Sequence, residues 1–406
     1  MPFATRVEQV RARPSTTYVE APSHRLDALD ALRAGAMLLV VALHAAVPYT
    51  VVGLPDLLWC LRDGATGLLF DLGSWWALGA SMPLFFALCG FFAADLYAKR
   101  GRRGYLVNRA RRVVAPMAVG AAVILPISMY VWAYGWLVMG DCTLREVLRW
   151  KFHKPGIQPN LYGPAHFWFL EYLTIYLAGF AAYRSIIRKL PTSHTHISAW
   201  WRPLPFAAIT GLILWVGQRQ TGHDAVICLR NSFLPDIFRL AHHGVYFAAG
   251  VWLHRTRGDL SRLKPHSGIY LILSVPVFAA RAWLLERNIA HGPLAGVWAV
   301  ALAATGSLFG WLSLFGLLGV GQRWLDRPSV KVRYLADASY WIYLVHFPIV
   351  GLVQADLYRV DWSAPAKFAA VLGISLAMGL GSYQTMVRYG SIGRCLHGPR
   401  HRRPAA

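Results

Sequence analysis

The chain has 406 residues, of which 56% are hydrophobic and only 15% charged, and its mean hydropathy is +0.39. A composition this apolar excludes an ordinary soluble domain. It predicts an all-α integral membrane protein whose main partner is the lipid bilayer. The net charge of +22 lies in basic clusters between apolar segments, so it indicates membrane topology and not nucleic-acid binding.

Basic segments stand at both ends of the chain. Residues 1–24 contain Arg6, Arg11 and Arg13 but no apolar core of signal-peptide length, so they predict a cytoplasmic tail. A second basic tail covers 389–406. Residues 25–388 are predicted to form one membrane domain, because no soluble stretch among them is long enough to build a separate core.

Apolar segments recur along this domain at nearly the length that a membrane-crossing helix requires, which is about 20 residues. Lys and Arg concentrate in alternate connections, which the positive-inside rule assigns to the cytoplasm. The pattern predicts about ten transmembrane helices in one bundle of the cell inner membrane, with both termini cytoplasmic. The predicted spans are 33–52, 73–96, 114–138, 165–183, 204–218, 237–253, 268–285, 294–320, 339–356 and 366–386.

The first predicted span carries two ionisable residues, which are costly in hydrocarbon and often functional. Arg33 and His44 are eleven residues apart, close to three helical turns, so they share one helix face at an axial separation of about 16 Å. Arginine binds phosphate and imidazole serves as general base or nucleophile, so the pair suits a phosphate-headed thioester on a flexible arm. In the alternative interpretation, His44 bonds a neighbouring helix carbonyl and Arg33 only fixes topology.

The longest predicted outward connection, residues 139–164, mixes charged and apolar residues and includes a candidate surface helix near 143–151. Long connections of this kind are often functional. The segment predicts either a docking surface for an acceptor or a connector that packs over the bundle.

The histidines and cysteines predict no metal site. The five cysteines lack metal-ligand spacing, and the consecutive His242 and His243 point about 100° apart on a helix. Cys60, Cys142 and Cys228 fall in predicted outward loops, where an oxidising compartment is compatible with one disulfide.

Several separated stretches resemble the membrane acyltransferase-3 family. They are Leu29 to Arg33 followed by His44, Leu84 to Phe92, Tyr105 to Pro116, and Ser339 to Pro348. Within the second stretch, Cys89 stands where the family usually has serine. The stretch His166 to Leu170 resembles an element of the glucans biosynthesis protein C branch, which is related to periplasmic glucan succinyltransferases.

The resemblance implies a membrane O-acyltransferase. Such a protein moves an acyl group, acetyl or succinyl, from cytoplasmic acyl-CoA to a hydroxyl of a periplasmic or cell-surface glycan. In this interpretation His44 is catalytic, either as a general base or as a nucleophile that forms an acyl-histidine. Arg33 holds CoA together with Arg109 and Arg112, the two arginines of the basic loop that match the family motif.

Four more residues complete the predicted site. His166 lies on the predicted acceptor side, and Glu171 within the membrane is either a base or the partner of a basic group such as His44. Tyr343 and His346 are three positions apart on one helix face and are predicted to line the donor tunnel.

The identities of the substrates do not follow from the sequence. Arg230 and Arg281 are candidates for binding the carboxylate of a succinyl group, and the acyl group, the acceptor and the oligomeric state are left open. A transporter or flippase of a glycan precursor is the main alternative, although no pair of broken helices and no internal repeat supports it. A non-catalytic partner in glycan assembly is a third interpretation.

Overall fold

The computed structural model describes residues 27–187, 201–255, 260 and 262–396, and these residues form helices and connecting loops without a strand. The predicted tail 1–24 lies outside the described residues, as do residues 397–406 of the second tail. The helices are α1 Asp27–Ala46, α2 Leu68–Arg109, α3 Ala115–Met139, α4 Leu144–Arg149, α5 Trp168–Ile186, α6 Pro203–Thr221, α7 Ile237–Arg255, α8 Ser267–Ala290, α9 Gly296–Val320, α10 Val330–Leu357, α11 Ala364–Ser382 and α12 Ser391–Leu396.

Each of the ten predicted spans falls on one of these helices. Within the described part of the chain, six helical ranges are long and apolar enough to cross a membrane. The number of crossings and the location of the termini stay predictions. The six ranges are Asp27–Tyr49, Leu68–Met139, Ser267–Ala290, Gly296–Leu325, Val330–Leu357 and Ala364–Val387.

The first helix begins and ends about six residues earlier than the predicted span. The chain leaves α1 at Ala46 and forms a 3₁₀ turn over Val47–Tyr49 that contains Pro48. Proline has no backbone N–H and removes one hydrogen bond of a helix, and the apolar residues beyond Tyr49 belong to a loop. Arg33 therefore lies in the second turn of α1, and His44 lies in its last turn.

Helix α2 contains a sharp reversal at Gly101, whose backbone has φ 63° and ψ −175°. This left-handed φ is readily adopted by glycine and strained for other residues. Arg109, eight residues later, donates a hydrogen bond from Nη2 to the Phe92 carbonyl at 3.1 Å, a contact that a straight helix would not permit. The basic loop therefore folds back against the apolar part of α2.

The helices pack as two groups that meet at α2 and α7. In one group α1 contacts α2, α10 and α11, and in the other α9 contacts α6 and α8. The outer faces remain apolar, for example Val119 on α3 at 64% exposure and Ile272 on α8 at 70%. Large exposed apolar surfaces are typical of helices that face lipid.

Two glycines allow α2 and α7 to approach closely. A Cβ at Gly90 would lie 2.0 Å from the Phe247 carbonyl oxygen, and one at Gly250 would lie 1.9 Å from that of Ala87. Small residues at such crossings permit backbone contact between membrane helices.

We expect Gly90→Ala to lower the free energy of unfolding by about 1–3 kcal/mol, because the added methyl group forces the two backbones apart. Thermal unfolding of the detergent-solubilised protein measures this effect. Gly373→Ala on α11 is the matched control, since its Cβ would meet nothing within 4 Å. Equal melting temperatures for the two variants would contradict the close-packing argument.

Candidate active site

The site is built between α1 and α10, which run parallel. Arg33 donates from Nη2 to the Ala336 carbonyl at 2.9 Å, and His44 Nδ1 lies 2.9 Å from His346 Nε2. The residue numbers of the two contacts rise together on both helices, from Arg33 to His44 on α1 and from Ala336 to His346 on α10. The arginine and the imidazole therefore mark two levels of the bundle about 16 Å apart along α1.

The hydrogen bonds of His346 determine which ring atoms carry protons. His346 Nδ1 lies 2.8 Å from the Tyr343 carbonyl and 3.1 Å from that of Ile342, so this nitrogen is the donor. In a neutral imidazole the other nitrogen is then an acceptor. His346 Nε2 consequently accepts from His44 Nδ1–H, and His44 Nε2 carries the free lone pair. The described residues offer this Nε2 no hydrogen-bond partner.

A third histidine joins the pair from the 3₁₀ turn Ala165–Phe167 that precedes α5. His166 Nε2 donates to the Leu344 carbonyl at 3.1 Å, and its ring centroid lies 5.4 Å from that of His346. Its Nδ1 is buried and has no partner among the described residues. Tyr343 fixes this turn by donating its hydroxyl hydrogen to the His166 carbonyl at 2.6 Å. Histidines from three separate elements thus converge.

Two residues that the sequence did not single out hold the His44 ring. Trp59 stacks on it at a centroid distance of 5.5 Å and an interplanar angle of 6°, and donates from Nε1 to Gln354 Oε1 at 2.9 Å. Gln354 in turn donates to the His44 carbonyl at 2.9 Å. The sequence could have pointed to Gln354, because it is a polar residue inside a predicted span, eight positions after His346. Trp59 lies in a loop, and no feature of the sequence marked it as a site residue.

A cavity of about 270 Å³ reaches this histidine cluster. His44 and His166 line it together with aromatic side chains, among them Trp132, Trp168 and Phe347. His44 is partly accessible, whereas His346 behind it is fully buried. A small molecule in this cavity therefore meets His44 before it meets His346.

A second cavity, of about 430 Å³, adjoins the first, because Leu57, Leu58 and Trp136 line both. Trp59, whose ring covers His44, also lines it. This cavity is walled partly by the connection between α3 and α5 and has a charged lining. The charged residues are Asp56, Arg62, Asp141 and Lys154.

The connection between α3 and α5 is ordered by its own hydrogen bonds. Helix α4 begins with a capping box in which Thr143 and Glu146 bond each other's backbone N–H, and Lys154 pairs with Asp141. Hydrogen bonds from Thr143 and His153 lower the pKa of Glu146 from 4.5 to about 2. The carboxylate contacts therefore stabilise the loop fully above pH 4.5 and are lost as the pH falls toward 2.

The predicted donor residues gather near the start of α1. Arg109 and Arg33 both lie near Cys89, and Arg33 also pairs with Asp30 at 3.2 Å. The Arg109 guanidinium also lies over the Tyr105 ring at 5.7 Å. Arg112 lies in the π-helical turn Ala110–Val114 among other basic side chains.

Glu171 is not the partner of His44, because His346 holds that position. Glu171 lies in the first turn of α5, outside the lining of either cavity, and its buried Oε2 has no hydrogen-bond partner among the described residues. Its role as a base stays a prediction. Arg281, a candidate for binding the succinyl carboxylate, already has a carboxylate partner. Its guanidinium pairs with Asp224 at 3.2 Å, and both side chains are buried.

The five cysteines are free thiols in the structure, so Cys60, Cys142 and Cys228 form no disulfide there. Cys60 is buried next to Gly351, Cys142 contacts the Ala133 carbonyl of α3, and Cys228 contacts Asp56. Among the described residues, no group of three or more His, Cys, Asp or Glu side chains is arranged to hold a metal ion.

The comparisons with known proteins bear on this geometry. The sequence profile of the acyltransferase domain family matches residues 26–383, which is most of the chain. The chain belongs to the acyltransferase-3 family. A search of curated proteins and a search of solved structures each gave no match. Membership in the acyltransferase-3 family supports acyl transfer as the activity, and the apolar helices support a multi-pass membrane protein.

The turn that carries His166 is held by a loop distant in sequence. Ala165 has a φ of 45°, which is strained for a residue with a side chain. Its backbone N–H donates to Asn231 Oδ1 at 2.9 Å, and Asn231 Nδ2 donates to the Asn160 carbonyl at 2.9 Å. In an acyltransferase-3 protein with this geometry, Asn231 positions His166.

We expect Asn231→Ala to lower kcat for acyl transfer roughly tenfold, because the strained turn loses a hydrogen bond that is worth about 1 kcal/mol or more. Ser232→Ala, which removes a hydroxyl group from the same loop, is the control. Initial rates with each purified variant measure the difference. Identical rates for the two variants would show that the turn holds His166 without Asn231.

Proposed function

We propose that this protein transfers an acyl group from acyl-CoA to a hydroxyl of a glycan on the opposite side of the inner membrane. The observation that carries the proposal is the His44–His346 pair, which leaves a free basic nitrogen of His44 at a cavity. A neutral imidazole aimed at a small cavity is suited to remove a proton from a hydroxyl group.

In the proposed reaction, His44 Nε2 takes the proton of the acceptor hydroxyl group while the hydroxyl oxygen attacks the thioester carbonyl. The C–O bond forms, the C–S bond breaks, and the CoA thiolate receives the proton from His44. His346 Nε2 accepts the Nδ1–H hydrogen bond of His44 throughout, which keeps the ring oriented and stabilises the transient imidazolium. The aromatic walls keep water from the thioester.

The donor side of the proposal rests on Arg33 and Arg109. Their guanidinium groups lie near Cys89 and are suited to phosphate groups, and Arg112 adds positive charge nearby. The separation of about 16 Å along α1 allows a flexible arm bound at Arg33 to bring its thioester to His44. On α10, Tyr343 lies between Ala336, which Arg33 contacts, and His346, which contacts His44.

The acceptor side of the proposal rests on the second cavity. A sugar ring packs well on aromatic side chains such as Trp59 and Trp136, and the charged lining supplies hydrogen-bond partners for hydroxyl groups. The stretch from His166 to Leu170 makes a periplasmic or cell-surface glucan the first acceptor to test. Both acetyl and succinyl groups are compatible with this arrangement.

The proposal is tested with the purified protein in proteoliposomes. Labelled acetyl-CoA or succinyl-CoA is supplied on one side and a glucan oligosaccharide on the other, and mass spectrometry detects the acylated sugar. We expect the mass of one acyl group to be added to the oligosaccharide. Movement of unmodified oligosaccharide across the membrane would instead indicate a transporter, and the absence of both would indicate a non-catalytic partner.

We expect Arg33→Gln to raise the KM for acyl-CoA roughly tenfold with a smaller change in kcat, because it removes a charged hydrogen bond to the donor far from the reacting atoms. Arg103→Gln is the matched control, since Arg103 is an exposed residue of the basic loop. An equal rise in both variants would show that general positive charge, and not Arg33, attracts the donor.

A further inference from the structure

The first cavity has positive charge on its wall without any negative charge. Its basic lining residues are His44, His166, Arg230 and Arg239, and the described lining contains neither Asp nor Glu. The remaining walls are mainly apolar and aromatic. Because His44 and His166 are engaged in neutral hydrogen bonds, the lasting charge of the cavity comes from the two arginines.

Arg239 is the more informative of these arginines because it is 94% buried, with an exposed fraction of 6%. Its Nε donates to the Ala225 carbonyl at 2.9 Å, and its guanidinium lies over the Trp168 ring at 5.6 Å. The described residues place no carboxylate within ion-pair distance of it. The Asp236 carboxylate accepts from the Arg239 backbone N–H at 2.7 Å and forms no ion pair with the Arg239 guanidinium.

Arg281 is a buried arginine of the same fold that has a counterion. That guanidinium is paired with Asp224 at 3.2 Å and lines neither cavity. A buried charge without a counterion is costly, so a protein that keeps one commonly supplies the missing partner from a ligand. Among the described residues, Arg239 lacks the counterion that Arg281 has.

We propose that the first cavity binds a carboxylate, or an anion of similar size, held by Arg239 in the wall and assisted by the exposed Arg230. The inference rests on the proposed function for the source of this anion, which is either the acyl group or the acceptor. The apolar walls beside His44 suit a short hydrocarbon chain, so a dicarboxylic acyl group fits the cavity along its length. An acidic substituent on the acceptor is the other source of the same chemistry.

Binding is tested first, because it requires no acyl transfer. The full-length protein is purified in detergent, and its melting temperature is recorded with succinate and with the neutral succinamide. We expect stabilisation by succinate alone, with an apparent affinity roughly tenfold weaker in Arg239→Gln, because hydrogen bonds to charged groups are worth more than 1.4 kcal/mol. Arg219→Gln, an exposed residue near the end of α6, is expected to bind as the wild type does.

Activity then assigns the source of the anion. If the acyl group carries it, Arg239→Gln reduces the preference for succinyl-CoA over acetyl-CoA about tenfold. If the acceptor carries it, the preference for an oligosaccharide bearing carboxylates over a neutral one falls instead. Arg239→Lys keeps the charge and is expected to restore part of either preference.

The outcomes separate this inference from the proposed function. Selective succinate binding without any acyl transfer would uphold the anion site and overturn the enzymatic proposal. Acyl transfer with equal stabilisation by succinate and succinamide, and with preferences unchanged in Arg239→Gln, would overturn the anion site alone.

Discussion

Replacing His44 by glutamine is expected to lower kcat for acyl transfer by roughly 10²–10⁴-fold, the range associated with loss of a general base. Glutamine keeps a polar side chain of similar reach, so the His346 ring retains a hydrogen-bond partner. Its amide cannot take a proton from the acceptor hydroxyl. The rate of acylated glycan formation at saturating acyl-CoA measures this loss, and KM for acyl-CoA should change little because Arg33 and Arg109 are untouched.

The control for this variant is His291→Gln, which replaces an exposed histidine at the end of α8. We expect it to retain the wild-type rate, and both proteins should elute as folded species on size-exclusion chromatography. Wild-type kcat in a folded His44→Gln protein would show that His44 is not the general base. Incubation with labelled acyl-CoA in the absence of acceptor then distinguishes a label retained on His44 from direct transfer.

The parts of the fold that depend on local sequence were predictable. A helix carrying Arg33 and His44 follows from apolar length and from spacing along one segment. The short helix α4 was likewise expected near 143–151, because its mixture of charged and apolar residues is contiguous in the sequence. The boundary of α1 was missed, since the apolar composition continues past Pro48 and hydropathy does not distinguish helix from loop.

The parts of the site that depend on distant pairing were not predictable. His44 and His346 are 302 residues apart in sequence, and nothing in either segment states that the two rings meet. The sequence placed His346 on the donor side and made Glu171 a candidate partner of His44, because a carboxylate within the membrane must be neutral, paired or hydrated. The packing of α1 against α10 makes His346 the partner of His44, and that packing is a property of the whole bundle.

A histidine in this position has a physical advantage over a carboxylate. An ionised carboxylate inside a membrane helix bundle must be paired or hydrated, whereas a neutral imidazole accepts a hydrogen bond without adding charge. His346 satisfies its own Nδ1–H on the carbonyls of its helix, so it offers one acceptor in a fixed direction. This orientation requires only that α10 keep its helical geometry at Tyr343.

The same reasoning predicts a large effect of replacing His346 by phenylalanine. Phenylalanine fills the buried space but accepts no hydrogen bond, so His44 loses the contact that fixes its tautomer and orientation. We expect kcat to fall about 10²-fold or more, because the reaction needs the hydrogen bond that orients His44. The KM for acyl-CoA should change less than about twofold, because donor binding does not need this hydrogen bond. Steady-state kinetics over a range of acyl-CoA concentrations separates the two parameters.

His346→Gln provides the matched comparison, because the amide oxygen of glutamine accepts a hydrogen bond as His346 Nε2 does. We expect this variant to recover part of the kcat lost in His346→Phe, while both variants show similar melting temperatures. A structural role for His346 predicts the opposite pattern, in which melting temperature and activity fall together and glutamine offers no recovery. Unchanged kcat in a folded His346→Phe protein would mean that His44 keeps its reactive orientation through Trp59 and Gln354 alone.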